Sequence, residues 1–415
     1  MRILIATVGS HGDVLPFIAL GRELQRRGHD VRFYADKTFE SLVSEAALHF
    51  TPIAAGDKYR DSLQNPDITD PIKGMRMVAE GTAEYAPMFY QAMYRDIELG
   101  RTVVIGSTLA FGARLLREKH HIPTVIAHFA PSVLRSEYLA PRFSPIGHME
   151  HAPRFVKRFI WSAMDKRFLD PLYTVPFNRI RHDLGLPPVK RIWHGWIHEA
   201  DLLLGLFPEW FAERQSDWPA ALQLTGFPLD DHGKDAPLPD ELNAFLQAGE
   251  APIGFTAGTA NATSHKFFAT SVEVCRSSGR RGIMLTQNAA QLPASLPSNV
   301  LHVPYAPFKA LLPRLAAFVH HGGIGSTSEA LRAGVPQLIR PMAYDQFDNA
   351  SRAVRLGVAR EILPRLYKPK AVTKVLAELV DNENVRAHCQ KIAKKLATED
   401  GIARACDEIL RLHTN

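Results

Sequence analysis

Residues 319–350 read VHHGGIGSTSEALRAGVPQLIRPMAYDQFDNA. The opening residues continue a short apolar strand, Phe318 to His320. A glycine-rich turn follows, then a helix, a Gly334-Val335-Pro336 break and a second strand from Gln337 to Ile339. A glycine-rich turn between strand and helix leaves the first N–H groups of the helix without intrahelical partners, which makes an anion site. His321 on the approach, with the hydroxyls of Ser326 and Thr327, adds donors suited to phosphate. Asp345-Gln346-Phe347-Asp348-Asn349 reads as an acidic loop. Carboxylates and amides opposite a phosphate site suit the hydroxyls of a sugar.

The same strand–turn–helix unit recurs on both sides of this segment. At the N-terminus, Ile3 to Val8 is an apolar strand and Gly9-Ser10-His11-Gly12-Asp13 a loop. The helix expected from about Val14 to Arg27 carries Val14, Phe17, Ile18, Gly21 and Leu24 on one face. Further strands are expected at Val31–Tyr34, Thr102–Ile105, Pro123–Ala127 and Asp201–Phe207. A second series runs through Ile253–Thr256, Gly282–Thr286, Val300–Val303 and Ala317–His320. Alternating strands and helices of this kind build parallel sheets. Between the series, residues 226–241 (GFPLDDHGKDAPLPDE) have the composition of a linker. The expected organisation is a first domain over residues 1–225, a linker over 226–250, a second domain over 251–400 and a last helix over 401–415. The stretches 59–93 and 131–196 are irregular and rich in aromatic residues, Met, Arg and His. Such insertions lie over the ends of the strands, where ligands bind.

A chain of 415 residues exceeds one ordinary core and predicts two domains. Its 46% hydrophobic and 22% charged residues are those of a folded protein. No apolar run reaches the length of a membrane span, and MRILIATVGSHGDV lacks the apolar region and cleavage site of a secretory leader. Three scattered cysteines argue for a cytoplasmic location and against a disulfide frame or zinc site. The net charge of +6 is spread along the chain without a nucleic-acid-binding motif, so no nucleic-acid partner is expected.

The 319–350 segment resembles the donor signature of the GT-B glycosyltransferases that use nucleotide sugars. The matching positions are His321, Gly322, Gly323, Gly325, Ser326, Glu329, Gly334-Val335-Pro336, Asp345-Gln346 and Asn349-Ala350. The resemblance implies an α/β protein of GT-B fold, two Rossmann-like domains facing across a cleft: an N-terminal acceptor-binding domain (1–225), its pocket formed by the 59–93 and 131–196 insertions, and a C-terminal nucleotide-sugar-binding domain (251–400), with the last helix (401–415) crossing back to the first. It implies a nucleotide diphosphate sugar as co-substrate, with no cofactor and no metal. By the same resemblance, His321 and Ser326, with the amides around Gly323 and Gly325, hold the diphosphate. Glu329 takes the ribose, and Asp345 and Gln346 hold the sugar. Tyr305 stacks on the base, and the Gly258-Thr259 turn touches the diphosphate. Standing alone, His321 would read as an ordinary strand-end histidine and Tyr305 as a packed tyrosine.

The N-terminal loop offers two candidates for the base. Many family members have Gly-His-x-x-Pro there. This chain reads Gly12-Asp13-Val14-Leu15-Pro16, which puts Asp13 in the base position. A carboxylate at a helix N-terminus is expected to be stabilised as the anion, lowering its proton affinity. Its bland role is a helix N-cap. His11 is the alternative, with an ordinary pKa better matched to the task. The strand end at Gly106-Ser107-Thr108 holds no acid to orient a histidine, which favours Asp13.

His194 and His198 stand four apart and would share one side of a helix as metal ligands, but no third ligand has sensible spacing. Residues 151–170 (HAPRFVKRFIWSAMDKRFLD) mix basic and aromatic residues, as in a helix lying on an anionic membrane or one packed on its own domain. Resemblance extends along most of the chain to family members that move rhamnose from a dTDP-sugar to a hydroxyalkanoyl lipid. It implies a lipid or other hydrophobic acceptor and peripheral membrane association. Glucose as the sugar, or a UDP-sugar with sterol or natural-product acceptors, stands as the alternative. A non-catalytic nucleotide-sugar-binding helper subunit is the rival outside the enzymes.

Overall fold

The computed structural model describes residues 1–414 apart from 55, 57–60, 62–64, 71, 145–148, 231–236 and 259–263. Among the described residues, thirteen strands form two sheets. The first contains β1 (Arg2–Ala6), β2 (Asp30–Ala35), β3 (His49–Pro52), β4 (Thr102–Ser107), β5 (Thr124–His128), β6 (Leu202–Gly205) and β7 (Leu222–Leu224). Its spatial order is β3-β2-β1-β4-β5-β6-β7. The second contains β8 (Ile253–Thr256), β9 (Gly282–Leu285), β10 (Val300–Val303), β11 (Ala317–His320), β12 (Gln337–Ile339) and β13 (Ala359–Glu361), in the order β10-β9-β8-β11-β12-β13. Every pairing is parallel, for example Ile5↔Ile105 and Phe318↔Gly254. The central strands are buried end to end, as helices covering both faces require.

Strand order reverses between β1 and β4 in one sheet and between β8 and β11 in the other. In open α/β sheets ligands bind outside the carboxyl ends of the strands at that switch point. Asp13 follows β1, Gly258 follows β8, and His321 follows β11. Sheet order alone thus gathers the three segments that the sequence singled out.

β3, β7 and β13 lie at sheet edges and are short, and the sequence pattern did not announce them. The first helix begins earlier than expected, spanning His11–Arg26 with Ser10 as its N-cap. Asp13 is therefore the third helical residue, not the cap. The linker composition of 226–250 conceals a helix, Asp240–Gln247. Its Leu242 and Leu246 pack with Leu238, Ile283 and Phe318 in the core of the second domain.

The last helix, Gly401–Thr414, packs on the first domain. Ile402, Ala405, Cys406 and Ile409 join the core cluster of Ile3, Phe17, Leu20 and Leu204. Arg27 fixes it from outside through Asp407 at 2.6 Å. At the crossing point, a Cβ on Gly401 would lie 2.2 Å from the Phe227 carbonyl oxygen, so only glycine allows the chain to pass.

Candidate active site

The loop after β1 is built around one carboxylate. Ser10 donates to Asp13 Oδ2 through its backbone N–H (2.7 Å) and its hydroxyl (3.0 Å). The Thr7 hydroxyl donates to the Asp13 carbonyl (3.0 Å), and Ser107 at the end of β4 accepts from Val8 N–H (3.1 Å). Gly9 has φ +137°, and a Cβ there would fall 2.3 Å from Asp13 Oδ2. Gly12 is open to solvent, its nearest neighbour for an added Cβ being Ser10 Oγ at 3.6 Å. Burial raises the Asp13 carboxyl above the usual carboxylate range, and the two Ser10 bonds offset this only in part. The expectation of a lowered proton affinity is corrected: loss of water outweighs the helix end.

His11 stands apart from this arrangement. Its ring meets Phe39 edge-on at 5.1 Å, and burial lowers its pKa. Its Nδ1 is buried with no hydrogen-bond partner among the described residues.

Across the cleft, Gly323 caps the helix Ile324–Ala333. The first bond of its ladder runs from Thr327 N–H to the Gly323 carbonyl (3.0 Å), so the N–H groups of residues 324–326 precede it. The His321 ring is wedged between two glycines. A Cβ on Gly258 (φ +84°) would lie 2.5 Å from it, and one on Gly323 2.6 Å. Burial depresses His321 to about 4, so the ring is neutral. Its Nδ1 is buried and has no partner among the described residues. Ser326 and Gly325 sit at the open end of the helix, and an added Cβ on Gly325 would meet nothing within 4 Å.

Several predicted side chains are already engaged. The Thr327 hydroxyl turns back to the Gly323 carbonyl (3.0 Å) and is fully buried, so it is removed from the phosphate donors. Glu329 is bridged by Arg332 one turn later (2.5 Å). Gln346 Oε1 accepts from the N–H groups of Met342 (2.8 Å) and Ala343 (3.2 Å), leaving only its amide nitrogen for a ligand. Tyr305 is 68% exposed on the turn after β10, so packing does not explain it. Thr259 lies outside the described residues. His320 is fully buried, accepting from Gly322 N–H at Nδ1 (3.1 Å) and meeting Gln337 Oε1 through Nε2 (3.0 Å), a structural role.

The expected acidic loop is instead a helix start: Asp345 is the N-cap of the helix Gln346–Arg355. Asn349 Nδ2 donates to Asp345 Oδ2 (2.7 Å) and to the Gly322 carbonyl (3.0 Å), tying that cap to the glycine turn. Tyr344 precedes it at φ +58° and donates to the Ile68 carbonyl of the first domain (2.5 Å). Sequence reading missed Tyr344; its strained backbone has no signature in a non-glycine residue. Asp345 is pushed up to about 7, chiefly by burial and further by the charge of Asp13, against the Asn349 bond.

His194 and His198 do not share a helix. Their segment is a turn leading into a one-turn 3₁₀ helix, Trp196–His198, and His198 Nδ1 lies 3.1 Å from His128 Nε2. Among the described residues no three His, Cys, Asp or Glu side chains are grouped to hold a metal. No described helix is long and apolar enough to cross a membrane.

With this geometry established, comparison with known proteins is informative. Residues 3–139 match the glycosyltransferase family 28 N-terminal domain. Residues 281–409 match the erythromycin biosynthesis protein CIII-like C-terminal domain. The chain is 31% identical over 371 residues to glycosyltransferase GtfE of Amycolatopsis orientalis, covering 86% of this chain and 85% of that protein. It is 28% identical over 422 residues to O-mycaminosyltylonolide 6-deoxyallosyltransferase of Streptomyces fradiae, covering 98% and 96%. The crystal structure of the glycotransferase of kitacinnamycin superposes with a TM-score of 0.77 at 23% identity, over 99% of this chain and 98% of that one. Two doubly wound domains, each with candidate site residues beyond the carboxyl ends of its strands, are the GT-B architecture. The chain belongs to the GT-B glycosyltransferases that use nucleotide-sugar donors.

The raised Asp345 carboxyl has a consequence for stability. The folded protein holds this proton more tightly than the unfolded chain, so stability falls as pH rises from the ordinary value of 3.8 toward about 7. Asp345→Asn removes that fall. The denaturation midpoint of the variant should exceed that of the native protein at pH 8 and converge with it near pH 4. An equal offset at both pH values would contradict the buried, proton-binding state of Asp345.

Proposed function

We propose that the protein is an inverting, metal-independent glycosyltransferase in which Asp13 is the base and the start of the helix Ile324–Ala333 holds the departing diphosphate. The observation that carries this reading is the placement of Asp13 after β1 and of His321 after β11, each beyond the carboxyl ends of its sheet where the strand order reverses. Both Ser10 bonds fall on Asp13 Oδ2, which leaves Oδ1 to accept a proton. In the proposed step, the acceptor oxygen loses its proton to Asp13 and bonds to the anomeric carbon. The bond from that carbon to the diphosphate breaks, and its electron pair leaves on the diphosphate oxygen. His321 and the amides of residues 324–326 stabilise that charge. A carboxyl with raised proton affinity is a stronger base than an ordinary one, and closure of the cleft limits hydrolysis.

We infer that the donor is a nucleoside diphosphate 6-deoxyhexose, with dTDP-rhamnose the leading candidate. Support comes from the whole-length similarity to a 6-deoxyallosyltransferase and from the likeness of stretches such as Gly12-Asp13-Val14 and Asp345-Gln346-Phe347 to rhamnose-transferring members. The acceptor is a hydroxyl on a hydrophobic molecule, a hydroxyalkanoyl lipid in the leading reading, with sterol or natural-product acceptors and UDP-glucose as the alternative. A lipid acceptor also accounts for a surface that the sequence left undecided. On the helix Arg154–Met164, Phe155 and Phe159 are each 73% exposed, with Phe168 half exposed beyond it. Arg154, Arg158, Lys166 and Arg167 stand exposed among them. Exposed aromatics ringed by cations suit an anionic bilayer surface.

Two measurements test these readings. Asp13→Asn should lower transfer at least about 100-fold while leaving nucleoside diphosphate affinity nearly unchanged. His321→Ala should weaken that affinity about tenfold or more. Full turnover by the first variant, or unchanged affinity in the second, would overturn the assignment. For the surface, the double variant Phe155→Ser/Phe159→Ser should lose co-sedimentation with phosphatidylglycerol vesicles while keeping turnover on a dispersed acceptor. Equal sedimentation of native and variant protein would contradict it.

A further inference from the structure

The segment after β5 crosses to the other domain and ends against the helix that carries the candidate sugar-binding residues. Its contact there is Arg142. The Arg142 backbone N–H donates to Asp348 Oδ1 (3.1 Å). Its guanidinium donates to both oxygens of Glu361 at the end of β13 (2.5 and 2.9 Å). The same group lies over the Phe347 ring, 5.6 Å from its centre. Both partners of the ion pair are largely shielded, at 13% and 17% side-chain exposure. A two-pronged arginine–carboxylate contact fixes orientation as well as distance, which a lysine cannot do.

Asp348 is itself buried. Its other oxygen accepts from Arg352 Nε (2.7 Å), whose Nη1 donates to the Phe211 carbonyl of the first domain (3.3 Å). Arg355 at the far end of the helix meets Glu150 (3.0 Å). Tyr344, just before the helix, is held by the Ile68 carbonyl. The helix Gln346–Arg355 thus belongs to the second domain but is gripped from the first at four places. Asp345 is its cap and Gln346 its first residue. Arg142 and Phe143 also connect the grip to the acceptor side, since Phe143 meets Trp161 of the helix Arg154–Met164 at 6.0 Å.

We propose that Arg142 is a positioning residue through which the acceptor-side segment sets the orientation of Asp345 and Gln346 toward the donor sugar. The contact spans the two domains, so it exists only while the cleft is closed at this edge. Losing it shifts the population toward an open edge in which those residues point elsewhere. None of the Arg142 contacts above is to the helix Ile324–Ala333, at whose start the diphosphate site lies. This inference rests on the reading that Asp345 and Gln346 face the donor sugar.

Calorimetric binding of dTDP and of dTDP-rhamnose, with UDP and UDP-glucose in parallel, separates the two. In Arg142→Ala the affinity for dTDP should stay within about twofold while that for the sugar nucleotide falls about tenfold. The donor KM should rise and a larger share of donor should be hydrolysed rather than transferred. Glu361→Gln should reproduce the pattern, Arg142→Lys should restore it only in part, and the charge-reversed pair Arg142→Glu/Glu361→Arg should recover toward native values. Equal weakening of dTDP and dTDP-rhamnose, or no change in either, in Arg142→Ala or Glu361→Gln with a native melting temperature would overturn the proposal. Glu361→Gln keeps the shape of the site, so it decides the matter even if Arg142→Ala does not fold. Failure of the native protein to bind any of the four nucleotides would instead sink the donor-site reading itself.

Discussion

Asp13 and Asp345 approach from opposite domains, and each is met by neutral donors: Ser10 for one, Asn349 for the other. Loss of water disfavours the charged form of each. That is the constraint the two loops share. It raises the Asp13 carboxyl above its ordinary range and, with a smaller push from the Asp13 charge, takes Asp345 up to about 7. The surrounding backbone makes room for the side chains of the site. Gly9 has no side chain because one would occupy the Asp13 carboxylate position, and Gly258 and Gly323 have none because His321 fills the space between them.

The glycine-turn unit of the second domain was legible because its pattern is local. A glycine turn, a strand before it and a helix after it occupy consecutive residues, and their spacing is visible in one segment. The roles of individual polar side chains were less legible, since these depend on which backbone groups fold alone leaves unpaired. Thr327 is one residue past Ser326, yet its hydroxyl satisfies its own helix. Gln346 closes the turn before it. The acidic run 345–349 looked like a loop because its polarity hid a cap and a first helical turn whose apolar face, Phe347 and Ala350, points inward. His194 and His198 have helical spacing without a helix, so spacing alone misled.

Contacts between the domains were illegible for a different reason. Arg142 and Glu361 are 219 residues apart, and neither belongs to a motif. The crossing helix Gly401–Thr414 was anticipated only through the family resemblance. With Arg27–Asp407 outside and Cys406 against Leu20 inside, it joins the C-terminal end of the chain to the helix His11–Arg26. Ile324, at the start of the donor helix, also packs against the apolar clusters of both domains. Packing thus joins the two halves of the cleft, as a transferase needs if donor and acceptor are to meet only after water has been excluded.

The central claim is that the base is the carboxylate in the first turn of the helix and not the histidine beside it. The pH dependence of single-turnover transfer from a saturating nucleotide sugar, measured for the native protein and for His11→Ala, tests it most directly. The account predicts that both share one acidic limb, falling as pH drops through a pKa above the ordinary carboxylate range, with rates at the plateau that differ little. A limb that disappears in His11→Ala, or a plateau lost with that histidine, would contradict it.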